Sequence, residues 1–352
     1  MTGKERVLLS LNHNEPDRVP IFNTFTPEVA RELSKIYGVK GYELDQKLEH
    51  DCLLVELGIY NGFYLDFSKE SYKCRWGIKW KRVSGKFSTY MEIDQPPIKD
   101  IDDVYSYRLP DVEGELFFPE LLSVCKNYQN EKAIIGGSIS IFENSWYLRG
   151  FQNFLMDLAT NEKEVNYLLD KVMSYNRQLG FKIIDAGVDI LYTGDDFGMQ
   201  TGLLLSYDMW KKYFFNRWAS LFKDFKKRNP KILIAYHSDG NILPLINDLI
   251  DMGIDILNPI QPDCMSPKLL KKKYGDRLSF WGTLDVQHTL SFGSNEDVKK
   301  EVIDRLKNVA VGGGLVLGST HNVQYSERAI ENLLTFYDTM GKYGNYPIKI
   351  NK

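Results

Sequence analysis

The stretch Lys231–Asn241, KILIAYHSDGN, decides how the chain is read. It opens as a β-branched, apolar run of the kind buried on both faces of a parallel sheet. It then stops abruptly at His237, Ser238, Asp239 and Gly240. An imidazole and a carboxylate two residues apart, at the end of a buried strand, occupy the place where α/β enzymes keep their chemistry. A strand-to-helix turn capped by Asp239 or Asn241 would use the same residues, so this stretch alone leaves both readings open.

Working outward, the same pattern recurs. Strand candidates lie near residues 19, 53, 134, 190, 232, 256, 279 and 315. Seven of the intervals hold a plausible helix, and a C-terminal helix over 326–342 follows the last strand. Eight strand–helix alternations predict parallel strands with helical crossovers, closed into a (β/α)8 TIM barrel. The rhythm breaks only over 63–93, where aromatic alternation around a Ser84-Gly85 turn predicts antiparallel hairpins. This stretch reads as a β-hairpin insertion beside the mouth of a single barrel domain spanning 1–352.

The ends of the strand candidates supply the polar residues: Asn23, Glu143, Asp195, Asp196, His237, Asp239, Asn258, Gln261, Asp285, Gln287, His321 and Asn322. A barrel places these ends around one cavity. Two chemistries fit. Imidazoles with carboxylates suit zinc, or a harder divalent ion if oxygens dominate, and His237, Asp239 and His321 are the expected metal ligands, with Glu143 or Asp196 in reserve. Alternatively, Asp195 or Asp196 does metal-free acid–base work, because adjacent carboxylates resist being ionised together. His237, Asp195, Asp196 and Glu143 are thus the catalytic candidates. Asn23, Trp146, Gln200, Asn258 and Gln261 are the candidates for holding the substrate. His13, His50 and His288 lie away from other strand-end polar groups and read as structural or surface residues. Most of the aromatics read as core, although rings at a barrel mouth could wall a substrate site.

Composition excludes other classes. A net charge of −3 makes no electrostatic case for nucleic acid. No apolar run approaches the roughly 20 residues of a membrane helix. The first twenty residues lack the apolar core of a secretory signal, and the four cysteines are scattered, so a cytoplasmic protein with reduced thiols is expected. Gly312–Gly314 precede a strand rather than follow one, which rules against a phosphate loop.

The segments DRVPIF (17–22), ENSWYLRGFQNFLMDLA (143–159), GDDFGMQTGLLLS (194–206), AYHSDGN (235–241), ILNPIQPDCM (256–265), RLSFWGTLDVQ (277–287) and GGGLVLGSTHNVQ (312–324) together resemble the uroporphyrinogen decarboxylase superfamily. The true decarboxylase follows its first strand with arginines that hold propionates, whereas VPIFNTFTPE has none. The chain is closer to the corrinoid-dependent methyltransferase branch. That resemblance implies transfer of a methyl group from a small O-methylated, less readily an N-methylated, substrate to the cobalt of cobalamin carried by a separate corrinoid protein. Zinc-containing members carry H-x-C after the fifth strand and a further cysteine near the end of the eighth. Here His237 matches, but Asp239 replaces the first cysteine, and the last strand ends in Ser319 and His321. A harder donor set of this kind suits polarising an ether oxygen. The alternatives are a metal-free decarboxylase or lyase acting on a small non-porphyrin carboxylic acid, and a non-catalytic binding protein. The expected partners are a corrinoid protein and the methylated substrate, without nucleic acid or membrane; a homodimer is compatible with the sequence.

Overall fold

The structure, a computed structural model, describes residues 1–59, 68–85 and 89–350. Among the described residues, twelve strands are numbered in chain order. Strands β1 (Cys52–Glu56), β5 (Ala133–Ile139), β6 (Ile190–Gly194), β9 (Leu233–His237), β10 (Ile256–Asn258), β11 (Ser279–Trp281) and β12 (Leu315–Val316) form one parallel sheet in that order. Strands β2 (Ser71–Lys73), β3 (Lys79–Ser84) and β4 (Thr89–Gln95) form an antiparallel sheet. A small hairpin pairs β7 (Gly198–Met199) with β8 (Gly202–Leu203).

The parallel sheet curls into a TIM-type barrel, and its eighth staff is the expected first strand. That segment is shorter than the sequence suggests: its parallel pairing is confined to isolated bridges from Ile21 to Leu317 and from Phe25 to Val323, with Arg18 bridged antiparallel to Asn345. Pro20 explains part of this, since it has no N–H to give a ladder. It still joins both edges. Leu317 N–H donates to Pro20 O, Phe22 N–H to Leu317 O, and on the other side Asp51 N–H to Ile21 O at 2.8 Å. The Asp51 carboxylate reinforces the seam, accepting from Ile21 N–H at 2.8 Å and from Arg6 and Arg18 at 2.6 and 2.8 Å. Strands β10 to β12 are also shorter than their apolar runs, and β10 stops at the Asn258–Pro259 bond.

Period-two alternation sorts the apolar side chains into two cores. Cys52, Ala133, Ile135, Ile190, Ala235, Ile256, Trp281 and Val316 pack inside the barrel, joined by Leu54, Tyr192 and Leu233. Their neighbours in sequence, such as Leu53, Ile134, Leu191, Ile234, Leu257 and Phe280, pack outward against the helices. The helix Gly3–Leu11 sends Val7 and Leu11 into the inner core. Ser279 Oγ donates to Leu11 O, and Ser10 Oγ to Leu315 O. That end of the barrel is therefore filled.

Glu143, Asn144 and Trp146 belong to a helix, Phe142–Arg149. A longer helix, Glu162–Asp185, follows after Phe151–Thr160. The antiparallel sheet packs on Phe142–Arg149 through Trp80 and Tyr147, with ring centroids 6.5 Å apart. Residues 63–67 and 86–88 of the expected insertion lie outside the described residues.

Candidate active site

The alternation that builds the inner core also aims the site. Continuing Cys52 and Leu54 by two residues places Glu56 inward; Leu233 and Ala235 lead to His237, Ile256 to Asn258, and Ile190 to Tyr192. All four line a cavity of about 470 Å³ at the C-terminal ends of the strands, together with Phe22, Asn23, Ser138, Glu143, Asp196, Trp281, Ser319 and His321. The strand ends close tightly there. Gly194 has φ 151°, and a Cβ on it would sit 2.1 Å from His237 O, so only glycine fits.

His237 is held by its Nδ1. Asn258 Nδ2 donates to Trp281 O at 3.0 Å, which turns the amide Oδ1 toward the imidazole, 2.8 Å from Nδ1. Tyr192 OH lies 2.8 Å from the same nitrogen and 3.3 Å from Asn258 Oδ1. These bonds put the ring proton on Nδ1 and leave Nε2 facing Asp196 Oδ1 at 3.5 Å. Burial favours the neutral ring, but Asp196, Asp239, the Asn258 bond and Glu56 together outweigh it and raise the His237 pKa.

Asp239 stands beside this pair. Its N–H donates to Asp196 Oδ1 at 2.8 Å, and Gln261 Nε2 donates to its carboxylate at 3.1 Å. Gln261 Oε1 in turn accepts from Gly240 N–H at 2.7 Å, so Gln261 braces the turn and is not part of the cavity lining. Burial raises the Asp239 pKa, with His237 acting in opposition. One ligand atom from each of Asp196, His237 and Asp239 can lie within 4.8 Å of the other two. His321 is exposed and lines the cavity, but Asp196 takes the third place in this group among the described residues.

The two adjacent aspartates part company. Asp195 is fully buried and accepts from Glu143 N–H at 3.1 Å and Trp218 Nε1–H at 2.9 Å. Burial pushes its pKa up to about 7 against those bonds. It supports the site from behind, whereas Asp196 faces the cavity. Glu143, which accepts from Tyr147 OH at 3.2 Å, is held well above the ordinary carboxyl range, first by burial and then by Asp196 and Asp195. Glu56 is pushed up to about 7 by burial, with His237 acting in opposition.

The remaining candidates are placed less centrally. Asn23 lines the cavity with both ends of its amide engaged, accepting from Ser319 N–H at 2.8 Å and donating to Tyr337 OH at 3.0 Å. That hydroxyl also meets His50, which is buried and bonded to Asp45 at 2.9 Å, in keeping with a structural role. Trp146 packs on Tyr147 and Phe151 rather than in the lining. Gln200 is exposed; it donates to Gln287 at 3.4 Å and accepts from Cys264 Sγ at 2.6 Å. His288 is exposed beside Asp263. Glu56 and Tyr192 were not among the expected site residues, although an acid inside an apolar run is a signal in itself.

The family model described as uroporphyrinogen decarboxylase (URO-D) matches residues 78–343. No curated protein matches the chain. Among solved structures, a methyltransferase from Methanosarcina mazei is similar at 18% identity and a TM-score of 0.74, covering 97% of this chain and 99% of that one. A B12-independent methionine synthase from Shewanella sp. W3-18-1 in complex with selenomethionine is similar at 15% identity and a TM-score of 0.47, over 90% and 86% of the two chains.

Proposed function

The chain belongs to the uroporphyrinogen decarboxylase family, and from that premise we propose that it transfers a methyl group from a small O- or N-methylated compound to the cobalt of a separate corrinoid protein. The observation that carries this reading is the group Asp196, His237 and Asp239, of which Asp196 and His237 line the cavity. Its donors fit a divalent ion: one imidazole anchored through Nδ1 with Nε2 available, and two carboxylates close by. A zinc or harder ion held by these three residues would supply Lewis acidity at the cavity wall. Tyr192 and Asn258 orient the imidazole. Burial, with Asp196 and Asp195 behind it, favours the protonated form of Glu143, which suits it to hand a proton to a leaving atom. The fold likeness to the Methanosarcina methyltransferase supports the same reading.

The decarboxylase alternative would place a substrate carboxylate among Glu56, Glu143 and Asp196. No lysine or arginine is among the described residues of the lining to receive it. Like charges at that range disfavour the acid.

The test pairs metal content with turnover. The wild-type protein, reconstituted with zinc, should hold about one equivalent and methylate a reduced corrinoid protein. His237→Ala should lose both while keeping its circular dichroism spectrum. Full turnover with far less than one equivalent of metal would overturn the metal role. Carbon dioxide release from a carboxylic acid, with no methyl transfer, would overturn the function.

A further inference from the structure

We infer that this cavity takes a small methylated cation, such as a quaternary ammonium compound, in preference to a neutral methyl ether; the inference rests on the methyl-transfer reading above. It reverses the order of donors that the sequence suggests. Three observations carry it.

The first is an aromatic wall. Phe22, Trp281 and Tyr192 all line the cavity, and their rings run in series with centroids 5.5 and 5.4 Å apart. Aromatic faces attract a compact cation, most strongly where water is excluded.

The second is charge. Glu56, Glu143, Asp196 and Asp45 line the same cavity, and no lysine or arginine does so among the described residues. A divalent ion at Asp196, His237 and Asp239 does not change the sign. Its two charges are matched by the two aspartates, and the lining still holds the carboxyl groups of Glu56, Glu143 and Asp45, the last bonded to His50; a cation entering beside a carboxyl group favours its ionised form. A neutral ether gains nothing from that response and an anion opposes it, whereas a cation promotes the carboxylates that then hold it.

The third is an unused hydroxyl. Ser319 is only 6% exposed and lines the cavity, and its Oγ has no hydrogen-bond partner among the described residues. Buried polar atoms are rarely left so. A donor with an oxygen function near its cationic head would satisfy it.

The transfer step balances. The C–N bond breaks with its electron pair staying on nitrogen, and the reduced cobalt of the corrinoid partner supplies the pair that forms the new bond to the methyl carbon. The amine leaves neutral. The carboxylates that held the donor then have no charge to hold, which favours product release.

The test uses two ligands that differ only in charge: choline and its neutral carbon isostere, 3,3-dimethylbutan-1-ol. Both present a hydroxyl to Ser319. Calorimetry on the full chain, chelator-treated and zinc-loaded, should show choline binding at least about tenfold more tightly, a ratio that one desolvated cation–π contact can supply. Trp281→Leu and Glu56→Gln should each bring the ratio toward one. Ser319→Ala should weaken both ligands alike. The wild-type ratio decides the matter even if a variant fails to fold. Equal or tighter binding of the isostere overturns the inference, as does tighter binding of a neutral aryl methyl ether such as guaiacol. Selective choline binding without methyl transfer leaves the cation site standing and counts against the methyl-transfer reading. Methyl transfer from guaiacol with no preference for choline does the reverse.

Discussion

Replacing Glu56 with glutamine should make the protein more stable, and only above a definable pH. Glu56 ends β1 inside the barrel, where burial moves its carboxyl from an ordinary 4.5 to about 7. In the folded state it keeps its proton up to about pH 7, whereas in the unfolded chain it loses that proton near 4.5. Between those values the folded state binds more protons, so native stability falls as pH rises. Below 4.5 both states are protonated and nothing is lost. At about 1.4 kcal/mol per pH unit, the full displacement is worth roughly 3 kcal/mol above pH 7. Because Glu56 is partly open to the cavity, that figure is an upper bound. Glutamine carries no charge at any of these pH values and escapes the penalty. Urea titrations followed by tryptophan fluorescence, on chelator-treated protein, should place Glu56→Gln up to roughly 3 kcal/mol above wild type at pH 8. The gap should shrink below about 1 kcal/mol at pH 5. A gap that ignores pH, or no gap at pH 8, would refute the assignment of a strained, desolvated carboxyl to this position.

Three further outcomes follow from the geometry. Asp195→Ala strands two donors, Glu143 N–H and Trp218 Nε1–H, and should cost about 2–5 kcal/mol in chemical denaturation; Asp196→Asn should instead weaken metal binding with little change in stability, and the opposite pattern would mean the two roles are exchanged. Tyr192→Phe removes the hydroxyl beside His237 Nδ1, and should lower metal affinity roughly 10- to 100-fold in a chelator competition while the fold is kept. Gly194→Ala forces a methyl to within 2.1 Å of His237 O, so a soluble variant with wild-type melting behaviour would contradict the strand closure described above.

The barrel was legible because each parallel strand is a short apolar run ending in polar residues, with helical spacing between. What the runs conceal is which face is inner. A strand buried on both sides shows no polar alternation, so DCLLVEL (51–57) marks Glu56 as an acid in an apolar run without showing that it points into the barrel. Tyr192 is hidden in DILY for the same reason. The paired aspartates show the same limit: sequence marks both, but only the placed backbone sends Asp195 toward Trp218 and Asp196 into the cavity. His237, Asp239 and Asn258 were legible because each stands at or just past a strand end. His321 stands there too, yet it lies exposed, and its distance from the Asp196, His237 and Asp239 group depends on how the last turn is laid down. The first strand was overestimated because an apolar run does not reveal how many ladder bonds a proline leaves.

Among the described residues, the helix Gly3–Leu11 fills the lower end of the barrel, and the cavity opens at the opposite end. Val7 and Leu11 shut the passage that a hollow sheet would otherwise offer, so whatever reaches Glu56 or His237 enters and leaves by one face. A protein large enough to present cobalt at that face would cover the way in. On the proposed function, traffic would then be sequential: the small donor would load first, the corrinoid protein would dock over it, and the demethylated product would stay enclosed until that protein lifted away. In such a vessel the dwell time of the docked partner, rather than the affinity of the product, would set how soon the next donor could enter.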